Sequence, residues 1–222
     1  MLTDEERIAF HKSIAGVRHL AAKSLAQASD VGRAIEFVAN LHRSLDSVAL
    51  HASKIGPVPD CKLGCSYCCH IRVEATDPEI FGIARRIRQR PEAEVADLIE
   101  KLRRHATERN VGGGATRQSC AFLVDARCAI YEVRPATCRK AHSLSVKQCE
   151  ALSPEIPQNL KLLVEADAMM AGTAEAYRDR KLQAAAHELN AAVLAALNDQ
   201  SAEARWYNGE DVFCCSGQLA PD

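Results

Sequence analysis

The sequence predicts a mainly α-helical fold, in which helices pack around a small cysteine-rich centre that carries one short β-hairpin. Apolar residues recur every three or four positions along much of the 222-residue chain, and capping residues precede several of these stretches, which predicts amphipathic helices. Eight of the ten cysteines fall between residues 61 and 149, where the helical pattern is interrupted, and this predicts the centre and its hairpin.

The first 57 residues have the pattern of two helices. Thr3 and Glu6 have the spacing of a capping box, which predicts the start of the first helix. Asp30 is a suitable N-cap for the second, and Gly56 with the following prolines ends it. The apolar stripe of this second helix consists of Ile35, Val38, Leu41, Leu45, Val48 and Ala52.

Two further helices follow a cysteine-dense loop at residues 61–70. Thr76 and the Asp-Pro-Glu after it predict the start of a third helix, because proline suits the first helical turn and acidic groups favour its positive end. Pro91 ends it. A fourth helix is predicted over about 92–109, with glycines 112–114 beyond its end.

The remaining chain is predicted as a hairpin followed by helices. Residues 120–124 and 128–131 are short apolar runs around a polar turn, which is typical of a β-hairpin. Beyond Pro157 the chain is alanine-rich and is predicted to form two helices that meet near Gly172. We therefore divide the chain into an N-terminal helical segment (1–57), a cysteine-cluster domain (58–150) and a C-terminal helical segment (151–222), together forming one compact unit.

Composition argues against several partners. The chain has 28 basic and 29 acidic residues and only 5% aromatic residues, so neither nucleic acid nor an anionic membrane is an expected partner. The apolar run 191–197 is too short to span a bilayer. The acidic start of the chain does not resemble a secretory signal, and we expect a cytoplasmic protein.

In a reducing compartment, clustered cysteines indicate metal binding rather than disulfides. Cys65 and Cys68 are separated by two residues, a spacing that lets both sulfurs bind one ion, and Gly64 permits the close turn that such a loop needs. The centre is therefore predicted to be metal-binding. Its predicted ligands are Cys61, Cys65, Cys68, Cys69, Cys120, Cys128, Cys138 and Cys149.

Two resemblances bear on this prediction. The spacing of Cys61, Cys65 and Cys68 is that of the radical S-adenosylmethionine enzymes, but the alternation of strand and helix that surrounds their motif is not predicted here. The full pattern, from Cys61 through Cys128-Ala-Ile-Tyr-Glu-Val-Arg-Pro-Ala-Thr-Cys138 to Cys149, resembles the YkgJ-type cysteine cluster family, or CxxCxxCC domain, over about residues 58–150. Many members have one residue fewer between the first two cysteines.

That second resemblance implies zinc or iron chelation. Some members are described as iron–sulfur oxidoreductases, and a flagellin lysine N-methylase resembles the family in its cysteine region. Three classes of protein therefore compete: a metal-cluster protein, an iron–sulfur enzyme that performs redox or S-adenosylmethionine-dependent methyl-transfer chemistry, and a thiol-based metal carrier. The sequence leaves open whether the chain is an enzyme and which protein it contacts.

An iron–sulfur cluster is favoured over zinc, because one cysteine-dense loop with distant single cysteines is more typical of iron–sulfur proteins than of paired zinc knuckles. Either His70 or His142 could complete a mixed site with the thiols, since imidazole also binds zinc and iron. Arg134 and Arg139 are predicted to bring positive charge toward the thiolates. Cys214 and Cys215 form a second adjacent pair near the C-terminus. Three interpretations of this pair stay open: further metal ligands, a resolving thiol pair, or tail residues without a role.

Overall fold

The computed structural model describes residues 3–62, 64–111 and 118–213. It is mainly α-helical, with two small two-stranded sheets among those residues, and this confirms the predicted fold class. The glycine run 112–114 and the pair Cys214–Cys215 lie outside the described residues.

The helices and strands have the following bounds, with short 3-10 turns at Tyr67–His70 and Tyr131–Val133. The helices are α1 Asp4–Leu25, α2 Val31–Glu36, α3 Val38–Ile55, α4 Asp77–Arg88, α5 Glu92–Val111, α6 Ala136–Lys140, α7 Val146–Glu150, α8 Leu160–Asp179, α9 Leu189–Asn198 and α10 Ala202–Tyr207. The strands are β1 Glu74–Thr76, β2 Leu123–Val124, β3 Arg127–Cys128 and β4 Ala186–Glu188.

The helix starts that the sequence predicts are confirmed. Thr3 and Glu6 form a capping box on α1, and the Asp30 carboxylate accepts a hydrogen bond of 2.9 Å from the Arg33 amide at the start of α2. The Thr76 amide donates to the Glu79 carboxylate at 2.9 Å on α4. The single helix predicted after Asp30 is instead divided at Phe37, where the Asn40 amide donates to the Phe37 carbonyl in a tightened turn.

The joint predicted near Gly172 is wrong, because α8 continues through this residue to Asp179. A Cβ atom at Gly172 would lie 2.7 Å from the Ile14 carbonyl oxygen and 2.7 Å from the Val17 Cβ, both on α1. The glycine therefore permits close packing of two helices rather than a break in one.

The first of two compact units contains the described residues within Met1–Cys61 and Ala136–Ala184. In it α1 packs along α8, and α3 packs against both α6 and α8. The Tyr177 hydroxyl donates to the Ala34 carbonyl at 2.8 Å, which fixes α8 against α2. The core between α3, α6 and α8 is formed by Val38, Leu41, Leu45, Ala136 and Ala166, with Met169 and Met170 packed against it.

The second unit contains the described residues within Lys62–Pro135 and Ala185–Asp222. Helices α4 and α5 both pack against α9, and the Phe81 ring lies 5.4 Å from that of the buried Trp206. Strands β2 and β3 form the predicted hairpin, whose two turn residues, Asp125 and Ala126, have φ of +48° and +59°, as a tight hairpin turn requires. An antiparallel pairing of β1 with β4 was not predicted.

The segment boundaries that the sequence analysis assigns at residues 57 and 150 stay a prediction. Within the described part of the chain, no helix combines the length and the apolar character needed to cross a membrane.

Candidate metal centre

The cysteine-dense loop presents two adjacent thiols on one short turn. Gly64 has a φ of +89°, a conformation that L side chains rarely adopt, and the Cys65 amide donates to the Lys62 carbonyl at 2.9 Å. The Cys69 amide then donates to the Ser66 carbonyl at 2.8 Å and closes the 3-10 turn that carries Cys68 and Cys69. The turn that the sequence predicts at Gly64 is confirmed.

Backbone hydrogen bonds hold the hairpin segment against this turn. The Cys120 amide donates to the Cys69 carbonyl at 2.7 Å, so these two residues lie next to each other although they are 51 positions apart in the chain. The Ala129 amide donates to the carbonyl of the fully buried Phe122 at 2.7 Å, which closes the hairpin that carries Cys128. The second unit therefore brings Cys68, Cys69, Cys120 and Cys128 into one region.

Burial and neighbouring thiols raise the pKa of three cysteines in this region. A hydrogen bond between the Cys68 and Cys69 side chains raises the pKa of the Cys68 thiol above its usual range. Burial, with a smaller contribution from the charge of Cys128, raises the pKa of Cys120 to about 11. Burial also raises the pKa of Cys128, and the charge of Cys68 adds to this effect. These thiols therefore keep their protons in the absence of a positive charge, and a cation bound beside them would favour the thiolate form.

Arg134 supplies positive charge to the same region, as the sequence analysis predicts. Its guanidinium group lowers the pKa of both Cys68 and Cys128, although burial and the neighbouring thiol outweigh this effect. The group lies 3.8 Å from the centre of the Tyr131 ring, in a cation–π contact that fixes its position. Arg134 is therefore a permanent partial counter-charge for thiolates in this unit.

Asn190 is a residue of this region that the sequence analysis missed. Its side-chain oxygen accepts hydrogen bonds from the Ala121 amide at 3.1 Å and from the Cys120 thiol at 3.5 Å. Its amide nitrogen donates to the Glu188 carboxylate at 2.8 Å, and the residue is only 4% exposed. The signal that could have identified it is a single polar side chain near the start of the apolar helix α9.

Three of the eight described cysteines, Cys61, Cys138 and Cys149, belong to the first unit, whereas Cys65 lies in the cysteine-dense loop of the second. The Ser143 amide donates to the Cys61 sulfur at 3.2 Å, and the Asp60 amide donates back to the Ser143 carbonyl at 2.9 Å. Ser143 lies between α6, which carries Cys138, and α7, which carries Cys149. An amide directed at sulfur is the contact that stabilises a thiolate ligand.

Two other residues singled out from the sequence have structural partners in the first unit. The His142 Nε2 atom accepts from the Asn159 amide at 2.7 Å, and its Nδ1 atom lies 2.8 Å from the Lys140 carbonyl oxygen. Both ring nitrogens are thus engaged, which argues against His142 as a ligand. The nearly buried Arg139 side chain forms an ion pair of 2.6 Å with Asp46.

The chemistry of the donors fits zinc or iron. All eight described cysteines are free thiols, and thiolate sulfur is the ligand that zinc and iron–sulfur clusters prefer. Within residues 3–62, 64–111 and 118–213, no three Cys, His, Asp or Glu side chains already stand in a metal-binding arrangement. Within the second unit, the backbone places Cys120 next to Cys69, and Cys68 lies near enough to Cys128 for its charge to raise the pKa of that thiol.

One stretch of the chain matches a known family model. Residues 60–158 match the CxxCxxCC family, described as a "putative zinc- or iron-chelating domain", and this confirms the resemblance drawn from the sequence. Searches of the curated proteins and of the solved structures found no match.

Proposed function

We propose, on the premise that residues 60–158 form a CxxCxxCC domain, that this chain holds iron or zinc through its cysteine thiolates and that metal binding is its primary property. The observation that carries the proposal is the hydrogen bond between the Cys120 amide and the Cys69 carbonyl, because it joins the two cysteine-bearing segments of the second unit. The free thiols are also compatible with the reducing cytoplasm.

Four cysteines of the second unit are the proposed core of the site. Cys68, Cys69, Cys120 and Cys128 would supply thiolates, and Arg134 would offset part of their negative charge. Cys65 extends the same loop. The family's cysteine pattern also makes proposed ligands of Cys61, Cys138 and Cys149. This assignment does not use the contacts described for the second unit.

Iron is the favoured metal. The donors of the second unit come from one dense loop and from two single cysteines, one just before the β2–β3 hairpin and one on it. Such a set is more typical of an iron–sulfur cluster than of a zinc knuckle pair. An iron–sulfur cluster would supply one-electron chemistry or an open iron for a substrate. Zinc would make the site structural or regulatory.

The test is the metal and acid-labile sulfide content of protein purified without oxygen, with its absorption spectrum. Iron and sulfide in matching amounts, in brown protein, would establish a cluster. Tightly held zinc without sulfide would establish metal binding but contradict the preference for iron and the alternative of an iron–sulfur enzyme. Protein that is folded and binds neither metal would overturn the proposal.

A pair of variants tests the site itself. Cys120→Ser should lower the metal content and the folding stability together, because ligand binding and folding are coupled in such domains. Ser66→Ala, in the cysteine-dense loop, is the matched control and should retain both, since only its carbonyl is used in the turn. Equal metal content in the two variants would remove Cys120 from the ligand set.

A further inference from the structure

A cleft of about 520 Å³ lies in the second unit, between the end of α4 and the segment that follows β3. Its volume is within the range of small-molecule sites. The residues that line it include Arg86, Arg90, Pro91, Cys128, Tyr131 and Glu132. One wall therefore contains a proposed metal ligand, and another contains two arginines.

The charged groups of this cleft are not balanced. Arg86 forms an ion pair of 3.2 Å with Glu132, but the two side chains are 53% and 81% exposed, so the pair is weak and easily exchanged. Arg90 donates one N–H to the Ala129 carbonyl. No carboxylate within the described part of the chain pairs with Arg90, which leaves two arginines against one glutamate in the lining.

We propose that this cleft binds the carboxylate of a small organic anion beside Cys128. A guanidinium group has five N–H donors in a planar fork that matches a carboxylate, and Arg90 uses one of them on Ala129. Arg86 already holds a carboxylate, that of Glu132. One uncompensated positive charge suits a monocarboxylate better than a doubly charged phosphate.

This inference rests on the proposed function in one respect, because the role of the bound anion depends on a metal at the neighbouring thiolates. A small anion held against Cys128 would lie next to the proposed metal, where a substrate or an exchangeable ligand is needed. A purely structural metal site has no such need. Binding of the anion itself depends only on the two arginines and can be measured whether or not iron is present.

The experiment measures binding of acetate and benzoate to the full chain as purified, with inorganic phosphate and sodium chloride at the same ionic strength for comparison. Binding is followed by amide chemical shifts of ¹⁵N-labelled protein, or by calorimetry where iron broadens the signals. Arg90→Gln should weaken carboxylate binding at least about tenfold, the loss expected for a charge-assisted pair. Arg103→Gln is the matched control, since Arg103 lies on the exposed surface of α5 with Glu100 at 4.0 Å.

Two further variants separate binding from folding. Glu132→Gln removes the competing carboxylate and should strengthen binding, a gain that a misfolded protein cannot give. Arg90→Lys keeps the charge without the planar fork and should bind with intermediate affinity. Equal binding by wild type, Arg90→Gln and Arg103→Gln would overturn the inference, as would phosphate or chloride binding as tightly as the carboxylates.

Metal content is measured on the same samples. Carboxylate binding that depends on Arg90 in protein without metal would support the cleft and contradict the proposed metal site. Full metal content without carboxylate binding would contradict the cleft alone. The two proposals therefore fail separately.

Discussion

At the scale of single residues, Asn190 connects three parts of the second unit. It accepts from the backbone after Cys120 and from the Cys120 thiol, and it donates to Glu188 on β4. A buried amide with all of these partners is difficult to replace, because each partner would be left without its hydrogen bond.

We expect Asn190→Ala to lower the free energy of unfolding by about 1–3 kcal/mol, the effect of leaving buried polar groups unpaired. Urea denaturation followed by circular dichroism measures this. Asn208→Ala is the control, because Asn208 is exposed at the end of α10, and it should change stability little. Equal losses in the two variants would show that the Asn190 contacts contribute nothing specific.

The raised thiol pKa values predict a pH dependence of the metal-free protein. The pKa of Cys120 is about 11, because of burial, whereas a thiol in the unfolded chain has a pKa of about 8.5. Between these values the folded state keeps a proton that the unfolded state loses, so the stabilising contribution is complete below pH 8.5 and is lost as the pH rises toward 11.

We therefore expect the urea midpoint of metal-free protein to fall between pH 8.5 and pH 11, and to fall less in Cys120→Ser, which has no thiol at this position. Cys68 and Cys128, whose pKa values are also raised, should act in the same direction. A midpoint that rises with pH over this range would contradict the expected sign.

At the scale of elements, α1 and α8 meet at a glycine. A side chain at Gly172 would collide with backbone as well as with a side chain of α1, and backbone cannot move without moving the helix. Helix propensity alone favours alanine over glycine by about 1 kcal/mol, so packing and propensity have opposite effects at this position.

We expect packing to dominate, and Gly172→Ala to lower the free energy of unfolding by about 1–3 kcal/mol, the usual effect of overpacking. Gly16→Ala, on α1 where an added Cβ meets nothing within 4 Å, is the matched control and should raise stability by up to about 1 kcal/mol. Thermal unfolding compares the two. A stabilising effect at both positions would mean that the helices separate at little cost.

At the scale of the whole molecule, each unit has helices that pack on one another independently of the proposed ligands. In the first unit α1 and α3 pack on α8, and in the second α4 and α5 pack on α9. The cysteine-bearing segments are shorter and depend on turns, a hairpin and short helices. Metal should therefore stabilise these segments most.

We expect removal of the metal, by a chelator for zinc or by oxidative loss for an iron–sulfur cluster, to lower the Tm. It should also speed amide hydrogen exchange mainly within residues 60–76 and 118–150. Helices α1, α3 and α8 should keep most of their protection. Mass spectrometry of exchanged peptides measures this, and uniform loss of protection along the chain would contradict a local role for the metal.

The sequence by itself determined the mainly helical fold, the helix starts at Thr3, Asp30 and Thr76, and the hairpin that carries Cys128. The cysteine pattern that matches the CxxCxxCC family over residues 60–158 is likewise a property of the sequence. These features depend on neighbouring residues, through capping hydrogen bonds, apolar periodicity and cysteine spacing, and such local signals can be recognised without the fold.

Only the tertiary structure decided which distant residues meet. The approach of Cys120 to Cys69, the role of Asn190 and the pairing of β1 with β4 depend on contacts between residues 51 or more positions apart. The same holds for Gly172, which resembles a helix break in the sequence but permits close packing. Local patterns cannot specify such contacts, because the free energy that forms them comes from packing and hydrogen bonding across the folded chain.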